Sequence, residues 1–337
     1  GRGNVGTDLS SIPTNAIQRI EILKDGAAAQ YGSDAIAGVI NIVLKDVTNE
    51  LSLELTAGAN FTDEISPDNN VDGEKYNLGV NYGIPLNDKG FINLTGNFNF
   101  RGATNRMQEF TGDIFNGYNS IERVAAQNNF DLSVLPTDLD AIKSFAPEAN
   151  LGARLADVNA ANTIEEMRIA LDFDNTDVEL QQRDQERSDY NIRFGQSQLK
   201  GGEFFGNMEY EFDENLKVYA FGGLGFKNGN SAGFYRLPNQ SRTYTPVYFN
   251  GFLPEINSNI VDKSLSFGIT GKLHQWHIDI SNTTGINDFA YRITNSSNAS
   301  LQTATPFEAD AGGFRYAENT SNLDLSRFYE DVFAGLN

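Results

Sequence analysis

The sequence of 337 residues contains no cysteine, two histidines and 9 prolines. Without cysteine the chain can form no disulfide, no thiolate metal site and no cysteine nucleophile. It also has no run of 18 consecutive apolar residues, which excludes a membrane-spanning helix. Basic residues are scarce, with 25 lysines and arginines against 45 acidic residues and a formal net charge of -20. Affinity for nucleic acid comes mainly from cationic side chains on phosphates, so this charge argues against a DNA or RNA partner.

Glycine and aromatic residues take the place of long aliphatic runs. The chain has 32 glycines, 24 phenylalanines and 13 tyrosines, and 39% of its residues are apolar, a composition that fits a strand-rich protein. Residues 50–61 alternate strictly, with leucine, alanine or phenylalanine at the odd positions and polar residues or glycine at the even ones. Such a period of two places every apolar side chain on one face of a strand.

The alternation recurs further along the chain, and we predict eight strands in all. The later ones include residues 75–84, 92–100, 204–212, 218–224, 265–273, 276–280 and 323–325. The longer ones are near the ~10 residues with which a tilted strand crosses a bilayer. The connections alternate between short links at 87–90, 213–215 and 274–275 and long ones at about 62–74, 101–202, 228–261 and 284–318. Outer-membrane barrels pair short periplasmic turns with long extracellular loops, whereas a soluble sandwich has no reason to gather its long loops at one end.

The largest connection, residues 101–202, far exceeds the 12–15 residues that structureless loops usually reach, so it should carry structure or function. The segments Thr137 to Asp140 and Thr163 to Glu166 both fit the capping-box pattern that begins a helix. The second precedes Met167, Ile169, Ala170 and Leu171, which have helical spacing. We expect a partly helical cap over the mouth of the barrel.

Residues 12–45 precede the first alternating strand and read as a helix, a strand, a turn and a second strand. Within them, Arg19 to Gly26 (RIEILKDG) and Tyr31 to Ile42 (YGSDAIAGVINI) resemble the C-terminal half of the plug domain of TonB-dependent outer-membrane receptors. The resemblance implies a membrane β protein, namely an antiparallel up-and-down transmembrane β-barrel with part of an α+β plug domain. This chain supplies about eight strands of a larger barrel. Residues 1–48 are then part of the plug and residues 49–337 part of the barrel, and we expect the chain to be a fragment of a longer receptor.

The same resemblance implies candidate ligand contacts. In such receptors the loop before the matched segments lies near the plug apex and helps to contact substrate. The matching candidates in this chain are Arg2, Asn4, Thr7 and Asp8. The alternative is that these residues only shape a flexible loop.

Two charged residues of the plug strand are candidates for contact with the barrel. Arg19 and Glu21 fall on one side of the strand, and charges in a confined, poorly hydrated space need partners. The alternative is that both are ordinary surface charges. Candidate partners on the barrel wall are Glu50, Glu54, Lys75, Glu209 and Glu211.

Three further motifs carry less weight. Residues 1–6 spell G-x-G-x-x-G but lack the preceding strand of a dinucleotide site. Residues 68–73 match half of an EF-hand loop, with Gly79 where a bidentate glutamate should close it. His274 and His277 would point to opposite faces of a strand, which argues against a two-histidine metal site. With no catalytic constellation in view, we predict no enzyme, no metal site and no cofactor.

The resemblance implies a function for the parent protein, TonB-dependent active transport across the outer membrane of a Gram-negative bacterium. A scarce nutrient such as an iron-siderophore complex binds from outside, and TonB with its inner-membrane energising complex moves the plug. The implied partners are TonB, a small-molecule ligand such as a metal chelate, and outer-membrane lipid and lipopolysaccharide. Two alternatives stay open: a passive porin or surface-binding, adhesin-like barrel without energy coupling, and a soluble two-sheet binding domain.

Overall fold

The computed structural model describes residues 12–24, 38–63, 71–132 and 138–329. The described residues before the large sheet, 12–24 and 38–49, are named the amino-terminal segment. In it a 3-10 helix over Thr14–Ala16 precedes strand β1 (Ile17–Leu23), which pairs antiparallel with strand β2 (Val39–Leu44). The predicted order of helix and two strands is present, with the helix reduced to a single 3-10 turn.

Eight further strands form one antiparallel sheet in which every strand pairs with its neighbours in sequence. The strands are β3 Leu51–Phe61, β4 Val71–Pro85, β5 Gly90–Arg101, β6 Gln198–Asp213, β7 Leu216–Ala232, β8 Glu255–Leu273, β9 Trp276–Thr294 and β10 Ala309–Ser326. Across the described ranges this order confirms both the up-and-down topology and the predicted number of strands. The edge strands β3 and β10 do not pair with each other, so the sheet is open.

The apolar face of the sheet points away from the rest of the protein. Leu53, Leu78 and Leu94 are 67%, 39% and 50% exposed, although they lie in the middle of their strands. A two-sheet sandwich would bury these residues between its layers, so that alternative is wrong for the described residues. An exposed apolar face that extends over eight strands is typical of a lipid-facing wall.

The height of the apolar face can be read from two neighbouring strands. Outward apolar positions run from Leu216 to Phe226 on β7 and from Leu265 to Leu273 on β8. About nine to eleven residues at ~3.3 Å each, tilted by ~40°, cover about 25 Å. This is the height of the apolar band of outer-membrane barrels.

Six of the eight strands are longer than predicted, with 15 to 19 residues each. The prediction ended them too early because the alternation fades beyond the apolar band. There, asparagines pair across strands instead: Asn230 Nδ2 donates to Asn257 Oδ1 over 2.8 Å, and Asn228 donates to Asn259. The sheet therefore continues past the band as a polar wall.

The short turns lie at one end of the sheet and the long connections at the other, as predicted. The turns are residues 86–89, 214–215 and 274–275, and the long connections are 62–70, 102–197, 233–254 and 295–308. The predicted bounds 228–261 and 284–318 were too wide, because long strands occupy both ends of each range. The amino-terminal segment enters the sheet at the short-turn end.

The connection 102–197, named the helical insert, contains five α-helices within its described residues. They are α1 Gly117–Gln127, α2 Leu139–Phe145, α3 Leu155–Ala160, α4 Ile164–Leu171 and α5 Thr176–Arg183. Buried apolar side chains from α1 to α4, among them Ile121, Ile142, Val158 and Met167, form one core. The insert is therefore a folded subdomain. None of the described helices is long and apolar enough to cross a membrane.

The helix starts agree in part with the capping prediction. Thr163 caps α4, because its Oγ1 accepts from the Glu166 backbone N–H over 3.2 Å. At α2 the cap is Asp138, one residue later than predicted, and its carboxylate accepts from two backbone N–H groups over 3.0 Å each. Ile169 is 68% exposed and does not join the core, contrary to the expected apolar face of α4.

Candidate functional site

The amino-terminal segment lies on the polar face of the sheet, opposite the apolar band. The side chain of Asn15 is buried and occupies the space above Gly79 of β4, where an added Cβ would come within 1.4 Å of Asn15 Nδ2. Val47 approaches Gly83 in the same way, with its carbonyl oxygen 1.9 Å from the position of a Cβ. Glycine at both positions thus makes room for the segment to contact the wall.

Asparagine side chains of the wall hold the segment by hydrogen bonds to its backbone. Asn93 Nδ2 donates to the Val47 carbonyl over 3.3 Å, and Asn207 Nδ2 donates to the Lys45 carbonyl over 3.1 Å. Beneath the segment, wall side chains bond to one another: Asn81 Nδ2 donates to Thr95 Oγ1 over 2.7 Å and also to Asn93. We name this contact zone the seam. The described hydrogen bonds of the seam join uncharged groups. They can therefore break and re-form without leaving an unpaired buried charge.

The predicted plug-barrel contacts Arg19 and Glu21 bind within the amino-terminal hairpin. Arg19 Nε donates to Glu21 Oε1 over 2.7 Å, and Asn41 Nδ2 of β2 donates to Glu21 Oε2 over 2.8 Å. The hydrogen bond from Asn41, followed by that from Arg19, holds the pKa of Glu21 below its ordinary value. Of the candidate wall partners, Glu209 pairs with Lys217 over 3.0 Å. Contact of Arg19 and Glu21 with the barrel stays a prediction.

The predicted ligand contacts Arg2, Asn4, Thr7 and Asp8 lie outside the described residues. Of the half EF-hand motif, the structure describes residues 71–73, and Asp72 pairs with Arg106 through two hydrogen bonds, one of 2.9 Å. Asp72 therefore binds a cation of the protein itself.

Both ends of the helical insert are bonded to strands at the long-loop end of the sheet. At its start, the Asp72–Arg106 pair joins the insert to β4. At its end, Arg193 donates to Asn230 Oδ1 of β7 and to Glu255 Oε1 of β8, both over 2.6 Å. Ion pairs with bidentate or multiple contacts fix geometry better than single surface pairs.

A buried charge centre lies inside the insert. Glu179 of α5 is fully buried and accepts from Arg123 Nε of α1 over 3.0 and 3.1 Å and from Arg183 Nε over 2.8 Å. The guanidinium carbon of Arg183 lies 4.3 Å from the ring centroid of Phe115 and 4.2 Å from that of Phe249, a geometry in which cation–π attraction is strong. This centre therefore joins α1 and α5 through buried, charge-assisted hydrogen bonds.

The loop 233–254 is joined to the insert by the same centre. Arg183 Nη1 donates to Asn250 Oδ1 over 2.8 Å and to the Phe249 carbonyl over 3.3 Å. Thr245 of the loop donates to Glu122 of α1. Burial raises the pKa of Glu122 to about 6, against the opposing effect of the Thr245 hydrogen bond. Insert and loop therefore form one unit at the long-loop end.

Two cavities lie between the insert and this loop. The first, of about 600 Å³, is lined by residues that include Phe110, Tyr190, Phe234, Tyr235, Arg236 and Arg242. The second, of about 570 Å³, lies beside α4 and shares Gln240 and Ser241 with the first. Volumes of this size suit small-molecule ligands. The sequence motifs do not mark this region, because its residues come from two separate connections. The one local signal is that residues 228–254 contain no aspartate or glutamate.

Comparisons with known proteins point to one family. A family model described as TonB-dependent Receptor Plug Domain matches residues 2–39. The probable TonB-dependent siderophore receptor PirA of Acinetobacter baumannii is 37% identical over 100 residues, which are 29% of this chain and 13% of the relative. The vitamin B12 transporter BtuB of Photobacterium profundum is 46% identical over 59 residues, which are 17% of this chain and 10% of the relative.

The crystal structure of the siderophore receptor PirA from Acinetobacter baumannii aligns with 94% of this chain and 42% of its own, at a TM-score of 0.37 and 14% identity. This chain thus spans less than half the length of the relatives that it matches.

The sheet, its lipid-type outer face and the segment seated on its polar side together define a partial, plugged outer-membrane β-barrel. The plug match covers most of the amino-terminal part of the chain, as the sequence motifs predicted. Residues 2–39 carry the match to the plug domain of TonB-dependent receptors, and the chain resembles that family.

Proposed function

We propose that the receptor containing this chain actively imports a scarce nutrient, such as an iron-siderophore complex, across the outer membrane of a Gram-negative bacterium. The observation that carries the proposal is the seam, where Asn93 and Asn207 of the wall hold the backbone of the amino-terminal segment. A folded segment on the polar side of a membrane wall blocks the path through it. A fixed plug would block a passive pore, whereas an energised transporter needs a plug that it can move.

The energetics of the seam fit a movable plug. A neutral hydrogen bond contributes only about 0.5–1.5 kcal/mol net to stability. The two described bonds from wall asparagines to the segment backbone therefore add about 1–3 kcal/mol. Force applied by TonB, together with its inner-membrane energising complex, could break such bonds one after another.

The names of the relatives support import of a chelate or cofactor-like nutrient, since they include siderophore receptors and a vitamin B12 transporter. We assign residues 1–48 to the plug and 49–337 to the barrel, with outer-membrane lipid and lipopolysaccharide around the apolar band. We also propose the plug-apex residues as ligand contacts and the hairpin charges as plug-barrel contacts. These residues are Arg2, Asn4, Thr7 and Asp8 at the apex and Arg19 and Glu21 on the hairpin.

The test is uptake of labelled ferric siderophores and cobalamin by cells that express the full-length receptor, with and without TonB. We expect uptake that saturates and disappears without TonB. Uptake that continues unchanged without TonB would establish the passive porin instead. Binding to cells or surfaces with no uptake of any ligand would favour the adhesin-like alternative, for which the folded insert offers a large outer surface.

A second arm tests the seam. The double variant Asn93→Ala and Asn207→Ala removes the two bonds to the plug backbone and also the bond that Asn93 accepts from Asn81. We expect it to let a large antibiotic, normally excluded by the outer membrane, enter the cells. The control Asn228→Ala removes a cross-strand bond beyond the apolar band and should leave the barrier intact. Equal entry in both variants would show that the seam does not close the barrel.

A further inference from the structure

The 600 Å³ cavity between the helical insert and the loop 233–254 combines cationic and aromatic side chains. We propose that it is a binding site for the anionic, aromatic part of a small-molecule ligand. The inference rests on the proposed import function, because it names the chemical class of ligand that the long-loop end would collect. It places that ligand at Arg236 and Arg242, away from the plug-apex residues.

The two arginines of the cavity differ from most of the others in the described chain. Ten described arginines form ion pairs with carboxylates. Of the rest, Arg101 and Arg327 also lack an ion pair, but they donate to the Ser197 carbonyl and to Gln275 Oε1. Among the described residues, the guanidinium groups of Arg236 and Arg242 have neither an ion pair nor a hydrogen bond with another side chain. Arg236 is moreover half-buried. A partly desolvated cation without an acidic partner has unused capacity for an anion.

The electrostatic surroundings of the cavity reinforce this capacity. Residues 228–254 contain no aspartate or glutamate, although the chain holds 45 acidic residues. The residues that line the cavity include no carboxylate either. In a protein with a net charge of -20 this is a local cationic site, which would attract anions that the rest of the surface repels.

The aromatic side chains present rings rather than hydroxyl donors to the cavity. The rings of Tyr190 and Tyr235 lie 5.3 Å apart between centroids. Their hydroxyl groups donate elsewhere, to Gln185 Oε1 over 2.6 Å and to the Asn250 carbonyl over 3.2 Å. Burial, followed by the nearby carboxylate of Asp189, raises the pKa of Tyr235 to about 12, so its phenol is neutral and adds no negative charge. Phe234 is 71% exposed and extends the apolar lining outward.

This combination selects one ligand class. Guanidinium groups form bidentate hydrogen bonds with carboxylates and similar oxyanions, and aromatic rings stack with flat apolar groups at centroid distances of about 4.5–7 Å. A cationic ligand would be repelled by both arginines. A small inorganic anion would leave the aromatic lining unused, so it should bind more weakly than an aromatic dicarboxylate of the same charge.

The experiment measures equilibrium binding of phthalate to the purified full-length receptor in detergent, beside benzylamine and inorganic phosphate as probes. We expect saturable phthalate binding that weakens as salt rises, weaker phosphate binding and no binding of benzylamine. Arg236→Gln and Arg242→Gln should each weaken phthalate binding about tenfold, since each removes a charge-assisted hydrogen bond. Tyr235→Leu should weaken binding of phthalate but not of phosphate.

The matched control is Arg168→Gln, which removes a positive charge from the same insert. Arg168 lines the second cavity, is 74% exposed and pairs with Glu165 over 3.7 Å, so its loss should leave phthalate binding unchanged. Retained far-ultraviolet circular dichroism shows that each variant is folded. An equal loss of binding in Arg168→Gln would show that the effect comes from the overall charge of the insert. It would overturn the proposed site.

Three other results would also overturn it: no saturable binding of phthalate, binding of benzylamine as tight as that of phthalate, or binding of phosphate as tight as that of phthalate. The binding assay needs no TonB, so it separates this inference from the transport proposal. Phthalate binding without TonB-dependent uptake of any ligand would refute transport and leave the site. TonB-dependent uptake without phthalate binding would refute the site and leave the transport proposal.

Discussion

Replacing Glu179 by glutamine should unfold the helical insert locally. The substitution keeps the shape of the side chain and removes the carboxylate that accepts hydrogen bonds from Arg123 and Arg183, whose side chains are 6% and 4% exposed. Two buried guanidinium groups would then lose their counter-charge. Breaking a buried ion pair by removing one partner costs about 3–5 kcal/mol, and we expect the local free energy of unfolding to fall by at least about 3 kcal/mol.

Hydrogen–deuterium exchange measured by mass spectrometry gives this local free energy for peptides from α1 and α5. Exchange should rise in both helices, because Glu179 joins them, and also in residues 247–252, because Arg183 bonds to Phe249 and Asn250. Exchange in the strands of the sheet should stay unchanged. The spread of the effect to the loop 233–254 distinguishes a shared centre from a local defect of α5.

The control is Glu165→Gln on α4, where the carboxylate is 74% exposed and pairs with Arg168 over 3.7 Å. Exposed pairs of this kind contribute at most about 1 kcal/mol, so exchange should change little. A cost below about 1 kcal/mol for Glu179→Gln, or one equal to that of the control, would refute the view that this centre holds insert and loop together.

Three further variants test other features of the fold. The pKa of Glu122, about 6 against an ordinary 4.5, means that its proton contributes stability that is fully present below pH 4.5 and lost as pH rises through 6. Glu122→Gln should therefore stabilise α1 by about 2 kcal/mol at pH 7.5 and flatten the pH dependence of its exchange; a pH dependence equal to wild type would contradict this. Gly79→Val should clash with Asn15 and raise exchange in the amino-terminal segment, at a cost of about 1–3 kcal/mol. In the control Gly58→Val, the added Cβ would meet no atom within 4 Å. An equal rise in exchange in both variants would refute the contact between the amino-terminal segment and Gly79. Thr163→Ala should cost α4 about 1 kcal/mol in the same assay, whereas Thr163→Ser should restore it.

Much of the sheet could be predicted because period-two alternation is a local property of the sequence. One strand alone places Leu51, Leu53 and Leu55 on the same face, independently of its neighbours. A face in contact with a bilayer requires such a pattern. Strand length was harder to predict. Beyond the band the asparagines at 228, 230, 257 and 259 face outward and bond across strands, and in an alternation test they resemble a loop.

The cavity that contains Arg236 and Arg242 could not be predicted because its parts are distant in sequence. Tyr190 and Arg236 belong to different connections and meet only after β6 and β7 have brought the two loops together. The charge centre has the same origin: Glu179 and Arg183 have the spacing of a helical ion pair, but Arg123 lies 56 residues earlier than Glu179. One local signal was available, the absence of acidic residues from 228–254, and it marks the loop that carries both arginines.

The ion pairs and hydrogen bonds at the two ends of the insert limit how it can move. Arg106 and Arg193 tie its two ends to three different strands, and Arg183 fastens its body to the neighbouring loop. A lid needs a hinge, and the described part of the insert has firm anchors where a hinge would lie. We therefore expect the insert to keep a fixed position at the long-loop end of the sheet. If the receptor opens as we propose, the movement should come from the amino-terminal segment on the polar face.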